Sequence, residues 1–515
     1  AAAALCRSSN LVKTGLPHRF AAAVRDTGEL VDALRRAAAP TDTAAEQGRP
    51  WGRPVVAFLF TGQGSEYPGM TAGLHRESPL YRRHLAEADE ALAPHLGASV
   101  RDLVLGGDER VHRPRFAQPA LFAVGYALAR TLTSLGVTPA AVLGHSLGEF
   151  AAAVTAGALG LEEAARLVTR RGALTAELPA GGGMIAAGAG PGELAGLLAA
   201  EPGTAVAALN GPADTVVSGP LDALERITEQ LTGRGVRVVR LPVTHAFHSP
   251  LMAPAAAGLR AETVRCAPPA VPLASTRHGR VLRHDLMDAG YWAGQIEEPV
   301  LMDTALAALV ADVAPTHLVE IGPRGVLLQI AARGGRAPGA EYLHPVPAPA
   351  ATGLELAETV AALYRGGLDP LWEELYEPGH RGVEPLAPYV FSSARRSWDR
   401  ESFVQPARPV TVTVPDAPHP ARGAADGRDA EDTVLHAVVQ AVAEVGGHPS
   451  ERVVREARFY EDLGFDSVMV MQLKNQVEAR LPRVGEVSVQ QMLPALRSVG
   501  ALADFLSDVL MARSS

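Results

Sequence analysis

Two cysteines in 515 residues, Cys6 and Cys266, offer neither disulfide nor metal-ligand spacing. That argues against a disulfide scaffold or a thiolate metal centre, and fits a reducing, cytoplasmic setting. No apolar run reaches the length needed to cross a bilayer, and the stretch Ala1 to Leu5 is too short for a signal peptide. Basic charge is also scarce. The formal net charge is −9, so nothing electrostatic favours nucleic acid or an anionic membrane surface as a partner. The Ala-rich opening has no initiating Met, and the sequence reads as a piece of something longer. Apolar content is ample at 47% of residues, which can build real cores, and a chain of 515 residues calls for about three domains.

The most informative stretch is Gly144-His145-Ser146-Leu147-Gly148-Glu149. Ala140 to Leu143 before it is an apolar, strand-like run, and Phe150 to Ala158 after it is Ala-rich with good helix propensity. Strand, tight Gly-x-Ser-x-Gly turn and helix make a nucleophile elbow, although the same pattern also arises in Gly- and Ser-rich loops. The small residues at 144 and 148 let the backbone turn sharply and hold the Ser146 hydroxyl clear of the sheet edge. The Leu147 N–H, at the helix start, can then face a developing oxyanion.

Residues 1–50 hold a candidate strand, His18 to Val24, a helix, Glu29 to Ala38, and a polar stretch, Pro40 to Gly52, without a reactive cluster. Val55 to Phe60 then reads as a buried strand closed by Thr61-Gly62-Gln63-Gly64-Ser65. The Gln63 N–H is either a second oxyanion donor or part of an ordinary strand-to-helix turn. Gln118-Pro119-Ala120-Leu121-Phe122 opens a helical pattern running to about Leu135, with Pro119 near its start. Gln118 either points into the same cleft or caps that helix. Leu161 to Leu174 reads as an amphipathic helix ending at Arg170-Arg171, a placement that by itself fits a solvated pair.

From Gly183 to Leu241 the order of elements reads β-α-β-β-α-β, the ferredoxin-like split pattern, as a small subdomain inserted into a larger α/β unit. Thr244-His245-Ala246-Phe247-His248-Ser249-Pro250 follows at once. One of its histidines would serve as base for Ser146, since serine is a poor nucleophile until a neighbour takes its proton. Metal ligation by the two histidines is the other reading, but it lacks a third ligand cluster nearby. Val271 to Ala274 and His317 to Ile321 are strand-like, and Gly322-Pro323 closes the second of them before a further helix.

Phe60-Thr61-Gly62-Gln63-Gly64-Ser65, Gln118 to Phe122, Gly144 to Glu149, His245-Ala246-Phe247-His248 and Val319-Glu320-Ile321-Gly322-Pro323 occur in that order. Together they resemble the acyltransferase domain of bacterial polyketide synthases, related to malonyl-CoA:acyl-carrier-protein transacylases, over residues 51–370. The resemblance implies an α/β-hydrolase-like large subdomain with a ferredoxin-like insertion at about 183–243. It implies Ser146 as nucleophile, His248 as general base and later acid, and the Gln63 and Leu147 N–H groups as the oxyanion hole. Arg171 matches the family arginine that binds the free carboxylate of the extender unit, a role suited to a bidentate guanidinium. Arg170 keeps the surface role. No acidic residue is marked as orienter of His248, and in the family a backbone carbonyl fills that place.

In this family His-Ala-Phe-His accompanies malonyl selection and Tyr-Ala-Ser-His methylmalonyl selection. His245, Phe247 and Gln118 are therefore the expected selectivity residues, with Phe247 filling the space a C2 methyl group needs. Excluding one methyl is worth about 1–3 kcal/mol, so this is a preference rather than a bar. Leu147, where methylmalonyl enzymes tend to carry Gln, points the same way, to malonyl-CoA.

Pro385-Leu386-Ala387-Pro388-Tyr389-Val390-Phe391 with Arg395, Arg396 and Trp398 resembles the family's post-acyltransferase linker, although Ser392-Ser393-Ala394 departs from its usual polar residues. Residues 403–430 have the Pro- and Ala-rich composition of a flexible linker. Glu431 to Leu510 reads as all helix, a small carrier bundle, with acidic residues outnumbering basic ones. Asp462-Leu463-Gly464-Phe465-Asp466-Ser467-Val468 resembles the acyl-carrier-protein motif, with Val468 in place of the usual Leu. Ser467 would bear 4′-phosphopantetheine, and a plain helix N-cap at Asp466-Ser467 is compatible with that role.

The expected domains are thus the end of a ketosynthase–acyltransferase linker (1–50), the acyltransferase (51–370), its post-linker (371–402), a flexible linker (403–430) and the acyl carrier protein (431–515). The expected reaction is ping-pong transfer of malonyl from malonyl-CoA through Ser146 to the Ser467 thiol, without a metal. Implied partners are an upstream ketosynthase, other polyketide synthase domains and a phosphopantetheinyl transferase. A thioesterase-type α/β-hydrolase would share the elbow but run Ser, acid, His in chain order. A non-catalytic docking scaffold would form no acyl-enzyme.

Overall fold

The computed structural model describes residues 2–12, 19–38, 53–377, 386, 427–446, 448–450, 453–459, 462–463, 465, 467–485, 487 and 489–514. The chain divides into two compact units, residues 1–391 and 392–515. The first is α/β and the second is helical.

The first unit is built on a six-stranded sheet of β1 (Val56–Phe60), β2 (Ala141–Gly144), β7 (Leu273–Ser275), β8 (Arg280–Leu282), β9 (His317–Ile321) and β10 (Glu341–Leu343). Their spatial order is β10-β9-β1-β2-β7-β8, parallel throughout except for β8. The central strand Val56-Ala57-Phe58-Leu59-Phe60 is apolar at every position because both faces are covered. Val56, Phe58 and Phe60 pack with Tyr81, Phe122, Phe150 and Trp292, while Ala57 and Leu59 pack with Met302, Leu306 and Ile330. Each fully buried Phe or Leu contributes about 1.5–3 kcal/mol of transfer free energy. Strands β1, β2 and β9 end side by side in their register, so the loops that follow them gather at one edge.

A second sheet holds β3 (Gly182–Ala187), β4 (Ala205–Gly211), β5 (Asp214–Pro220) and β6 (Val238–Arg240), antiparallel in the order β4-β5-β3-β6. Helices Pro191–Ala200 and Leu221–Gly233 cover one face through Leu194, Leu197, Leu224 and Ile227. The chain therefore runs β-α-β-β-α-β between 182 and 240, as read from the sequence between 183 and 241.

Three expectations change. Residues 19–24 form no strand, and of their backbone groups the Ala21 carbonyl and the Ala23 N–H meet the side chains of Arg365 and Glu358 rather than a neighbouring strand. Arg19 donates to the Leu368 carbonyl at 2.7 Å, and the Ala23 N–H goes to Glu358 Oε2 at 3.1 Å. The helix containing Gln118 begins earlier, at Pro114, and runs to Ser134. Pro114 takes the first-turn position and Pro119 lies inside the helix, where it donates no backbone bond. Gln118 is then too deep in the helix to cap it. Finally, the helix after the elbow runs from Leu161 to Ala176, so Arg170 and Arg171 lie within it rather than at its end.

In the second unit, helices Gly427–Gly446, Ser467–Arg480 and Val499–Ser514 surround Val438, Val442, Phe459, Phe465, Leu473, Leu502 and Leu506. A short helix, Val489–Met492, lies in the chain between the last two of these. Gly464 and Asp466 of the carrier motif lie outside the described residues. So do 387–426, with Arg395, Arg396 and Trp398. Among the described residues no helix is long and apolar enough to cross a membrane, and no group of three or more His, Cys, Asp or Glu side chains is placed to hold a metal ion.

Candidate active site

Strand β2 ends at Gly144 and the next helix, Gly148–Thr155, begins after a three-residue turn. The sharp turn falls on Ser146 itself, whose φ of +49° is in the left-handed region, at a cost of about 1–3 kcal/mol. The two flanking glycines act differently from expectation. Neither has positive φ, and both are needed for close approach. A Cβ on Gly144 would lie 2.3 Å from the Glu149 nitrogen, and one on Gly148 would lie 2.3 Å from the Phe60 carbonyl oxygen. The second clash shows how tightly the elbow is pressed against the end of β1.

His248 also has positive φ, +58°. Its Nε2 lies 2.6 Å from Ser146 Oγ and its Nδ1 2.8 Å from the Glu298 carbonyl oxygen. A carbonyl only accepts, so Nδ1 carries the proton and Nε2 is free to accept the serine hydrogen. The backbone carbonyl that orients this histidine is therefore that of Glu298. Burial, followed by the nearby Arg171 guanidinium, holds the imidazole down to about 3, against the opposing pull of that carbonyl.

Arg171 is 1% exposed, and its Nε has no hydrogen-bond partner among the described residues. Burial lowers its guanidinium to about 10, with Glu149 pulling the other way. A desolvated, unpaired cation is costly unless something anionic arrives to meet it. Its neighbour Arg170 behaves as a surface residue and pairs with Glu262 at 3.1 Å.

Ser146, His248 and Arg171 share one cavity of about 350 Å³ with Gln63, His145, Asn210 and Phe247. One wall is apolar and comes from the small sheet, through Met184, Ala186, Ala208 and Val216, and Leu327 and Ile330 face it. Leu147 is buried beside the cavity, and neither its N–H nor that of Gln63 donates to another group among the described residues.

The three expected selectivity residues separate. Phe247 lines the cavity, whereas His245 and Gln118 do not. His245 stands behind Phe247, with ring centroids 6.1 Å apart, and is tied to the Thr244 hydroxyl at 2.8 Å. Gln118 is fully buried and reaches the cavity only through Gln63, its Nε2 lying 3.4 Å from Gln63 Oε1. Ser467 is in the second unit, at the first position of the helix Ser467–Arg480.

Four contacts at the site have no signal in the sequence. Gln295 Nε2 donates to the Ser146 carbonyl at 2.6 Å, and His145 Nε2 lies 3.2 Å from Asn210 Oδ1, linking the elbow to the small sheet. Glu149 was named only as part of a motif. It is fully buried and accepts from the Thr276 N–H at 2.7 Å and the Tyr291 hydroxyl at 3.1 Å. Burial pushes its carboxyl up.

An α/β unit with a strained serine at a strand-to-helix turn, paired with histidine, defines a class built for acyl chemistry at serine. Residues 57–366 match the acyl transferase domain family and residues 436–506 the phosphopantetheine attachment site family. The chain belongs to the acyl transferase domain family and is homologous to modular type I polyketide synthases. It is 34% identical over 512 residues to the polyketide synthase GfsA of Streptomyces halstedii, covering 94% of this chain but spanning only 7% of that protein. The acyltransferase domain from the second module of the salinomycin polyketide synthase superposes with a TM-score of 0.64 at 34% identity, covering 71% of this chain and 86% of that one. The malonyl CoA-acyl carrier protein transacylase of Clostridium perfringens gives a TM-score of 0.53 at 26% identity, covering 60% and 97%.

Proposed function

We propose that this chain moves a malonyl unit from malonyl-CoA onto Ser146 and from there to a carrier thiol on Ser467, as part of a polyketide synthase. The observation that carries the reading is Arg171, a buried guanidinium with an unpartnered Nε in the cavity of the Ser146–His248 pair. A hydrolase for neutral acyl groups has no use for a desolvated cation there, whereas a malonyl thioester brings the carboxylate that pairs with it.

His248 Nε2 takes the Ser146 proton as Oγ attacks the thioester, and the Gln63 and Leu147 N–H groups receive the oxyanion. His248 then returns the proton to the departing sulfur. Pairing Arg171 with the malonyl carboxylate offsets one of the three causes that depress His248, which are burial, Arg171 and His145, so the base strengthens when the correct substrate is bound. Arg171 holds the carboxylate through both halves of the exchange. Ser467 fits a phosphopantetheine attachment point because it opens a helix, whose N-terminal amides favour a phosphodiester. When attached, that arm supplies the acceptor thiol. The upstream ketosynthase, the phosphopantetheinyl transferase and the domain limits given above belong to the same proposal. So does the reading of the two sheets as an α/β-hydrolase-like subdomain with a ferredoxin-like insertion, supported by their strand orders.

Malonyl preference rests on Phe247 in the cavity wall. In a competition between malonyl-CoA and methylmalonyl-CoA read by intact-protein mass spectrometry, the malonyl adduct should dominate at Ser146. Phe247→Ser should shift the ratio toward methylmalonyl by roughly 10–100-fold, as expected for space equivalent to one methyl. Equal loading of both by the unaltered chain would remove malonyl selectivity from the proposal.

The pH profile carries its own signature. Because His248 is held near 3 rather than its ordinary 6.5, the neutral base persists in acid. We expect kcat/KM for acylation to stay level from pH 7.5 to 5.5, where an ordinary histidine base would cost about tenfold. Stability should move the opposite way. The unfolded chain protonates this histidine below 6.5 and the folded one does not, so acid favours unfolding through that window.

A further inference from the structure

The Ser146 carbonyl accepts two hydrogen bonds, from the Glu149 N–H at 2.9 Å and from Gln295 Nε2 at 2.6 Å. The first is a local turn contact, but the second crosses from another element, the helix Ala289–Glu297. Gln295 is 3% exposed and its Oε1 has no partner among the described residues, so its amide is there for what the NH2 group does, which is to meet the Ser146 carbonyl and, beside it, the buried Glu149 carboxyl. A trans peptide is planar, and its N–H points opposite to its C=O. Holding the Ser146 carbonyl toward Gln295 therefore fixes the direction of the Leu147 N–H, the proposed oxyanion donor. In a peptide flanked by a left-handed serine, that direction is not secured by helix geometry alone.

The same helix grips the other member of the pair. The His248 N–H donates to the Ile296 carbonyl at 3.1 Å, and His248 Nδ1 donates to the Glu298 carbonyl just beyond the helix end. The helix is itself fixed. Trp292 stacks on Phe150 of the elbow helix with centroids 3.9 Å apart, and Arg277 grips the Glu298 carboxylate at 2.7 and 2.8 Å. One rigid element thus touches the serine peptide on one side and the histidine on the other.

We infer that Gln295 is a positioning residue that holds the Ser146–Leu147 peptide so that its N–H serves the oxyanion, from the helix that also sets His248. This rests on the acyl-serine reading given above. Losing an oxyanion donor outright costs roughly 10²–10³-fold in kcat. The Glu149 N–H still holds the Ser146 carbonyl, so removing Gln295 should cost less.

The test is acylation of Ser146 by malonyl-CoA, followed by intact-protein mass spectrometry under rapid quench, with melting temperatures measured in parallel. Gln295→Met should fold, keep its KM because residue 295 does not line the cavity, and lose roughly 10–100-fold in kcat. Gln295→Glu would set its carboxyl beside that of Glu149, which disfavours ionisation of both, and it should lose a similar factor at pH 8 and regain it toward pH 6, since only the protonated carboxyl can donate to the Ser146 carbonyl. The unaltered chain should stay level over that range. A folded Gln295→Met chain with unchanged kcat, or a Gln295→Glu loss independent of pH, overturns the inference. If Gln295→Met does not fold, the Gln295→Glu pH series decides alone. If the unaltered chain forms no acyl-enzyme at Ser146, the transfer reading fails first and takes this inference with it.

Discussion

Ser146→Ala is expected to carry no malonyl group on the catalytic unit and to pass none to Ser467. The loss should be roughly 10⁴–10⁶-fold in the rate of carrier loading, the scale seen when a covalent nucleophile is removed. The reason lies in the geometry. Ser146 Oγ lies 2.6 Å from His248 Nε2, and the tautomer set by the Glu298 carbonyl leaves that nitrogen free to take the serine proton. His248→Ala should approach the same loss, and the double variant should be no worse than Ser146→Ala alone, because the two groups act as one unit. Additive losses would mean that Ser146 and His248 serve separate steps. Loading of the carrier by the Ser146→Ala chain at even a hundredth of the normal rate would place the acyl group elsewhere.

The second large effect falls on Arg171, and here activity and stability should part. Arg171→Ala should lower kcat/KM for malonyl-CoA by roughly 10²–10³-fold, the range for truncating one partner of a buried charge pair. Acetyl-CoA, which has no carboxylate to lose, should be affected far less, so the ratio of malonyl to acetyl loading collapses. Removing a buried cation whose Nε is unpartnered should leave the melting temperature unchanged or raised. Equal losses for malonyl and acetyl groups would show that Arg171 is structural.

Much of this was legible in the residues, and the physical reasons differ from place to place. The parallel strands announce themselves because burial on both faces demands unbroken apolar runs, as in Val56 to Phe60. The small sheet was legible because alternation and turn residues recur at short intervals between 183 and 241. The elbow stood out because two glycines bracket a serine, although their necessity proved to be contact with Glu149 and Phe60 rather than torsional freedom. Gln295 left no mark, since a lone Gln on a helix announces a partner only once the tertiary fold supplies one. The Glu298 carbonyl carries no side-chain signature at all. Gln118 and His245 lie in the right motifs but behind the cavity, because motif spacing does not say which way a side chain points. Residues 19–24 misled because an apolar stretch cannot disclose that the Ala23 N–H will meet Glu358 instead of a neighbouring strand.

Acyl transfer with a thiol, not water, as acceptor is the centre of this account, and a single-turnover experiment tests it most directly. The phosphopantetheinylated chain would be mixed with one equivalent of malonyl-CoA, quenched over time, and digested to separate the Ser146 and Ser467 peptides for mass spectrometry. The malonyl group should appear first on Ser146, then decay there as it accumulates on the Ser467 arm, with little free malonate released. Free malonate appearing without carrier-bound malonyl, or malonyl on Ser467 with none ever seen on Ser146, would contradict it.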